Sequence, residues 1–447
     1  MEALQSIVDS FFQFKAYVML PIIVFVIALL VRMTIKAAAL SSLKLATGFA
    51  GIYIAFDFFV ETINPAVQAL IDTRGLDFPV LDVGWPPLAA ITWASPIAHI
   101  TIFLIILINV IMLALNLTKT IYIDIWNYWH FSMLGAFVIS TSQSFLLGLV
   151  ATALIGIYTI KMSDWSGPVV LRETGLKGLT VSPLSSAGLL PYANGIDWLF
   201  DKIPFVRTID FNPSKSDKQH VSLIGEPMII GMLVGLMLGI AAGYPFKEIL
   251  EISIHIAAVM FLLPKCGGLI GEGMGEVSEA LRNSIQKKFP KKTGLLVALD
   301  TGIVMNNKSI LTTGILLMPI SIIIALILPG NKTLPLGDLP ALISQMVVIV
   351  MVCRGNVFRS VLAGIPVIIG YLLISTNLAP LITQLSVEVG TSVPEGVLIT
   401  AFTDGGNPVR FWAFKLFQGN LVAISIIPVM ILLLFLSWKR YRKSVLN

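Results

Sequence analysis

Charge is what this sequence has least of. Only 12% of its 447 residues are Asp, Glu, Lys or Arg, about half the quarter usual in soluble domains. That shortage excludes an ordinary soluble enzyme, a disordered chain and a nucleic-acid-binding protein. Cysteine is nearly missing. Cys266 and Cys353 are the only two, neither lies in a CxxC, and no disulfide framework follows. Four histidines show no metal-ligand spacing, and neither a nucleotide-cradling glycine loop nor a Ser-His-Asp arrangement is present. No metal and no cofactor are therefore expected. The N-terminus lacks a basic n-region and a small-residue cleavage site. Its apolar run at 11–31 has the length of a full span, so no cleavable signal peptide is expected.

What is abundant is apolar side chain, 56% of the residues, with a mean hydropathy of +0.89. A spanning helix needs roughly 20 such residues. The pattern predicts eleven spans: 16–32, 40–59, 97–117, 121–141, 143–160, 224–243, 249–264, 309–329, 338–353, 357–376 and 421–438. The expected fold class is an all-α polytopic membrane protein. Loop charge sets its orientation. The tail Lys439-Arg440-Tyr441-Arg442-Lys443 reads as cytoplasmic, as does a loop at 264–292 with six basic against three acidic residues. A loop at 60–80 carries Glu61, Asp72 and Asp77 against Arg74 alone and reads as external. A mixed stretch, 161–222, is placed inside, with 178–200 dipping back toward the membrane. With eleven spans the N-terminus is outside. The net charge of +5 is read as loops facing an acidic leaflet.

The chain contains an internal repeat. Lys36 and Lys247 each open a helix that runs to Ala69-Leu70 or Ala280-Leu281 and then to Phe78-Pro79 or Phe289-Pro290, three pairs at one offset. Asp82-Val83-Gly84 and Asp300-Thr301-Gly302 follow, then a span, then Asp124 or Asp338, then two more spans. Each half closes on a Gly- and Ser- or Thr-rich loop, 179–188 and 399–408. Five spans is an odd number, so the halves, 1–222 and 223–420, run in opposite directions, and 421–447 is an added helix and tail. Inverted repeats with broken segments mark transporters. Re-entrant segments are expected near 80–95, 178–200, 294–307 and 396–415.

Ionisable groups in apolar segments are the functional candidates. In Asp124-Ile125-Trp126-Asn127-Tyr128-Trp129-His130, helical spacing puts Asn127 and His130 on one face, with Asp124 one turn earlier. Amide, carboxylate and imidazole grip hydroxyls, and indoles cover the C–H faces of a polyol. The competing reading is an aromatic belt at the membrane interface. Asp82 and Asp300, with Gly84 and Gly302, read either as re-entrant tips at a midplane site or as helix caps. Ser95 and Pro96 read as the start of the third span. Ser182 lies in the first terminal loop and Asp404 in the second, where Gly405-Gly406-Asn407-Pro408 is also plain turn chemistry. Arg354-Gly355-Asn356 with Arg359 serves either positive-inside anchoring or contact with a phosphorylated partner or an anion. His99 and His255 read as packed residues, and His220 as a loop residue.

Several of these strings resemble one family: Asp82-Val83-Gly84-Trp85-Pro86, Thr92-Trp93-Ala94-Ser95, Asp124-Ile125-Trp126-Asn127, Gly225-Glu226-Pro227, Leu334-Pro335-Leu336-Gly337-Asp338-Leu339 and Arg354-Gly355-Asn356-Val357-Phe358-Arg359. They look like the galactitol-type membrane component (enzyme IIC) of the bacterial phosphoenolpyruvate-dependent sugar phosphotransferase system, which is similar to the ascorbate-transporting components. The resemblance runs in order along the chain. It implies eleven spans in the plasma membrane and a homodimer. Dimerisation would use the first, second, sixth and seventh spans, with an elevator-like substrate core built from the rest. It implies a sugar or polyol substrate, membrane lipid as surroundings, and cytoplasmic A and B components. The B component would carry the phosphocysteine, since Cys266 at a helix end and Cys353 in a span do not look like that loop. The site residues it implies are Asp82, Gly84, Trp126, His130, Ser182 and Asp300. Asn127 belongs with them by its spacing, and Asp124, Arg354, Asn356 and Asp404 are secondary candidates. The resemblance implies a galactitol-like polyol, but Pro183 and Asn307 stand where the family pattern has histidines, a departure that speaks against galactitol itself and for another polyol or a pentose. Two other functions compete. One is a proton- or sodium-coupled secondary transporter using Asp124 with His130, or Asp57. The other is an intramembrane enzyme using Asp82 and Asp300 as a carboxylate pair.

Overall fold

Long apolar helices carry the architecture. The computed structural model describes residues 16–74, 78–215, 227–288, 294–304, 307–391, 393 and 395–446. It opens with α1 (Ala16–Leu30) and α2 (Ile35–Arg74), then β1 (Val80–Asp82), α3 (Trp85–Trp93), α4 (Pro96–Ala114) and β2 (Thr120–Tyr122). There follow α5 (Trp129–Ser142), α6 (Phe145–Thr174), β3 (Leu179–Val181), α7 (Leu184–Ala187), α8 (Leu190–Phe200) and α9 (Pro204–Thr208). The second half has α10 (Pro227–Ala241), α11 (Phe246–Lys288), β4 (Leu296–Leu299), α12 (Lys308–Ile327), β5 (Thr333–Leu334), α13 (Leu342–Gln345) and α14 (Val347–Val352). The chain ends with α15 (Val357–Glu388), β6 (Leu398–Thr400), α16 (Pro408–Phe417), α17 (Leu421–Ser425) and α18 (Ile427–Leu446). Among the described residues, seven helical stretches are long and apolar enough to cross a membrane. Two shorter apolar helices, Leu20–Leu30 and Met228–Ala241, accompany them.

Two expected spans are not continuous helices. Residues 121–141 divide into β2, a 3-10 turn (Ile125–Tyr128) and α5. Residues 338–353 divide into a 3-10 turn (Leu339–Ala341), α13 and α14. The polar residues in both places bond to neighbouring segments, which breaks the local helix. Three expected loops are corrected in the other direction. Most of 60–80 belongs to α2, most of 264–292 to α11, and α6 runs on to Thr174, so 161–222 is largely structured. Charge is a poor loop signal here because Glu, Lys and Arg are good helix formers. Lys44 on α2 meets Glu276 on α11 at 2.9 Å, and Ser41 donates to the same carboxylate. Cys266 consequently lies mid-helix in α11, and Cys353 is buried in the turn after α14. Phe289-Pro290, Gly225-Glu226 and His220 lie outside the described residues.

The helices α1, α2, α10 and α11 pack mainly on one another. Close approach needs glycine: a Cβ at Gly235 would sit 2.4 Å from the Ser253 Cα on α11, the small-residue contact common between membrane helices. The remaining helices surround two small parallel sheets. One has the order β5-β1-β6, the other β2-β4-β3. The central strand of each comes from one half of the chain and both flanking strands from the other. In register, Asp82 lies opposite Thr400, and Leu299 opposite Val181. The strands are short, apolar and covered, as parallel sheets require. Asn109 of α4 completes the β2 edge, donating to the Thr120 carbonyl and accepting from the Tyr122 N–H, both at 2.9 Å.

Candidate functional site

Each central strand ends in one of the Asp-x-Gly strings, and the two ends differ. Asp82 is fully buried. Its Oδ1 accepts from the N–H groups of Gly84 and Phe402, and its Oδ2 from those of Leu336 and Asp338, at 2.9–3.2 Å. Four N–H donors fill a carboxylate's acceptor sites. Asp338 repeats the device, accepting from the Trp85 N–H at 2.9 Å and from the Thr403 backbone and hydroxyl. Gly84, at φ +79°, has room for no Cβ, which would lie 2.9 Å from the Gly337 carbonyl. Asp82 and Gly84 thus knit the turns after β1, β5 and β6 together. Of the two readings for Asp82, capping is close, except that Asp338 caps α3 from another strand.

Asp300, after β4, is exposed. It accepts from the Gly302 N–H at 2.9 Å and from the Asn127 amide at 3.1 Å. The same amide nitrogen donates to Asp124 at 2.8 Å. The Ser182 hydroxyl, at the end of β3, donates to Asp124 at 2.6 Å. Asp124, Asn127, Ser182 and Asp300 are therefore one hydrogen-bonded cluster, drawn from the ends of β2, β3 and β4. Tyr122 and Tyr128 stack behind it and bond to the carbonyls of Ser182 and Tyr122.

A second cluster adjoins it. His130, at the start of α5, stacks on Trp129 with ring centres 4.0 Å apart. Its Nδ1 lies 2.9 Å from an Arg410 nitrogen and 3.6 Å from Asp404 Oδ1. Arg410 on α16 is fully buried and also donates to the carbonyls of His130 and Asp404. Gln345 donates to Asp404 Oδ2 at 3.1 Å. Asp404 Oδ1 and Asn407 Nδ2 are buried without a hydrogen-bond partner among the described residues. Asp404 also lies within electrostatic range of Asp300.

The other expected residues lie elsewhere. Trp126 is buried among Phe49, Trp85 and Trp93, on the side of α2 and α11. Asn356 caps α15, accepting from the Arg359 N–H at 3.1 Å. Arg354 is an exposed residue 4.0 Å from Asp197. Asn307 caps α12 and accepts from the Ser214 hydroxyl, and Pro183 directly follows Ser182 of the first cluster, ahead of α7. Arg410, Gln345 and Asp338 were not singled out as site residues by sequence. An arginine within the apolar stretch 408–417 was the available signal.

Buried polar clusters where the helices of a membrane protein are broken are a pattern common to transporters. Residues 10–396 match the model of the EIIC-GAT family, described as the PTS system sugar-specific permease component. The chain belongs to this family, and as such it is a membrane component that works with a sugar and with other components of a phosphotransferase system. It is 31% identical over 427 residues to the PTS system galactitol-specific EIIC component of Escherichia coli (strain K12), covering 95% of this chain and 94% of that protein. It is 32% identical over 423 residues to a putative permease IIC component of the same strain, covering 93% and 96%.

Proposed function

We propose that this protein binds and translocates galactitol or a closely similar polyol, between the Asp124–Asn127–Ser182–Asp300 cluster and the His130–Asp404 pair. The observation that carries the reading is Asp404 Oδ1, buried without a partner beside an imidazole and within electrostatic reach of the exposed Asp300. An unpartnered buried acceptor calls for a donor, and a polyol hydroxyl is one. The galactitol-specific relative supports the substrate class. Family membership disfavours the cation-coupled secondary transporter. The carboxylate-pair enzyme lacks support, since Asp82 and Asp300 end different sheets and share no hydrogen-bond partner.

The same reading places Asp82, Gly84 and Trp126 around the site as scaffold. The exchanged central strands support an inverted repeat, with β1 matching β4 and Asp82 matching Asp300. The packing of α1, α2, α10 and α11 supports a homodimerising unit beside a moving core. Phosphorylation falls to a separate B component, since Cys266 is mid-helix, Cys353 is buried, and neither has the exposed cationic setting of a reactive thiolate.

Losing one buried hydroxyl partner costs about 1–3 kcal/mol, or roughly 5- to 150-fold in affinity. Asn127→Ala and Asp300→Asn should each weaken galactitol binding to purified, dimeric protein within that range, by equilibrium binding of labelled polyol. Wild-type affinity in both variants would remove the site. The charges toward the ends of α2 and α11 and in the C-terminal tail support an N-terminus outside and a tail inside. Single cysteines at Asp72 and Lys288 should label from opposite faces of the membrane, and same-side labelling would refute the inversion.

A further inference from the structure

Two cavities lie along one face of α18. Met430 and Leu433 line the first; Ser437, Arg440, Tyr441 and Ser444 line the second. Their spacing keeps all six on a single stripe of the helix. The facing walls follow the same order. On α8, Tyr192 lines the first cavity and Asp197 the second; on α6, Tyr158 lines the first and Arg172 the second.

The first cavity, of about 400 Å³, is apolar. Three of its polar groups are turned into the protein: the hydroxyls of Tyr158 and Tyr192 donate at 2.7 Å to the carbonyls of Gly188 and Ala363, and the Trp412 indole to Ala423 at 2.9 Å. Lys415, also in the wall, lies over the Phe411 and Phe414 rings. The second, of about 360 Å³, is basic, with Arg172, Arg354, Arg440 and Lys443 in its wall against one carboxylate, Asp197. That carboxylate already serves three guanidiniums, Arg359 at 3.1 Å, Arg440 at 3.0 Å and Arg354 at 4.0 Å. Positive charge is left over, and Arg354 keeps 60% of its side chain exposed to use it. Guanidinium forks suit phosphate oxygens. The outer face of α18 exposes Ile431, Leu432, Phe435 and Trp438, so lipid is its natural solvent. Arg442 lies 4.9 Å over the Trp438 ring, an aromatic–cationic pairing typical of the headgroup level. From Met430 to Arg440 the helix rises about 15 Å, half the hydrocarbon thickness.

The geometry points to a bound anionic phospholipid, its headgroup phosphate in the basic cavity and one acyl chain in the apolar cavity. Both halves of the ligand are needed, which separates it from a free phosphate or a detergent tail. Native mass spectrometry of the full-length protein in detergent tests this by titration. The probes are dioleoyl phosphatidylglycerol, dioleoyl phosphatidylcholine, dihexanoyl phosphatidylglycerol and inorganic phosphate. The long-chain anionic lipid should bind at least tenfold more tightly than each of the others. Lys443→Glu, on an exposed side chain, removes two units of positive charge. At about fivefold per charge it should weaken phosphatidylglycerol roughly 25-fold and leave phosphatidylcholine unchanged. Met430→Trp should weaken both long-chain lipids and spare the short-chain one. Equal binding of the two headgroups, or no effect of Lys443→Glu, would overturn the proposal. Competition by inorganic phosphate as effective as by the lipid would assign the basic cavity to a small phosphate instead. Self-association that phosphatidylglycerol cannot displace would assign the face to a second copy. The wild-type comparison stands even where a variant fails to assemble.

Discussion

Asp82→Asn should leave little properly folded protein. The carboxylate is 0% exposed and accepts four backbone N–H bonds, two at each oxygen. An amide keeps one oxygen. Its NH2 group would turn donors toward two N–H groups that are themselves donors. Two unsatisfied buried groups cost about 2–6 kcal/mol at 1–3 kcal/mol each, a large part of the 5–15 kcal/mol that holds a typical domain together. The damage would be spread over the turns after β1, β5 and β6, because one side chain ties all three. Thermal unfolding in detergent, with the yield of monodisperse protein, checks this against Asp300→Asn. The exposed Asp300 should tolerate the change and keep the wild-type melting temperature. Should Asp82→Asn fold and melt like wild type but lose polyol binding, Asp82 is a substrate ligand and its scaffold role is wrong.

Arg410→Gln is expected to be nearly as severe, and Asp404→Asn should partly rescue it. Arg410 is a fully buried cation between two polar groups of the proposed site, with nitrogens on His130 Nδ1 and on the carbonyls of His130 and Asp404. Arg410 bonds the Asp404 carbonyl rather than its carboxylate, but its charge reaches that carboxylate. Removing it costs up to the figure for a buried pair, about 3–5 kcal/mol, because the remaining charge is left uncompensated. Asp404 would then be a buried carboxylate facing an imidazole and a single amide, Gln345. Neutralising both at once removes that penalty, so the double variant should recover about 0.5–3 kcal/mol relative to the sum of the single losses. Full recovery is not expected, since the His130 contacts are lost in either case. Unfolding measured on the two single variants and the double variant gives the coupling. Strict additivity would show that Arg410 does not neutralise Asp404.

The site was partly legible because its residues are expensive in an apolar chain. Asp124, Asn127, His130, Ser182, Asp300 and Asp404 stand out as polar groups in stretches with few others, and the structure brings them to two adjoining clusters. Legibility failed where a residue's role depends on a distant partner. Asp82 and Asp300 sit in similar strings, yet one is saturated by N–H groups up to 320 residues away and the other is open. Trp126, read as a sugar platform, packs against Phe49 of α2. Arg410 lies just past the turn residues Gly405-Gly406-Asn407-Pro408, and its charge within the apolar stretch 408–417 is the one local sign of its role.

Hydropathy and the repeat of charged and glycine landmarks are properties of short windows, and the sequence alone determined the features built on them. These are a helical membrane protein and the starts of α2 and α11. The six strands among the described residues are two to four residues long. In a chain this apolar, so short a strand shows no alternation to read. Their pairing across the two halves, the saturation of Asp82 and the meeting of Arg410 with His130 were decided only in the tertiary structure. Each requires groups hundreds of residues apart to satisfy one another's hydrogen bonds where little water reaches, and no local pattern records which partner that will be.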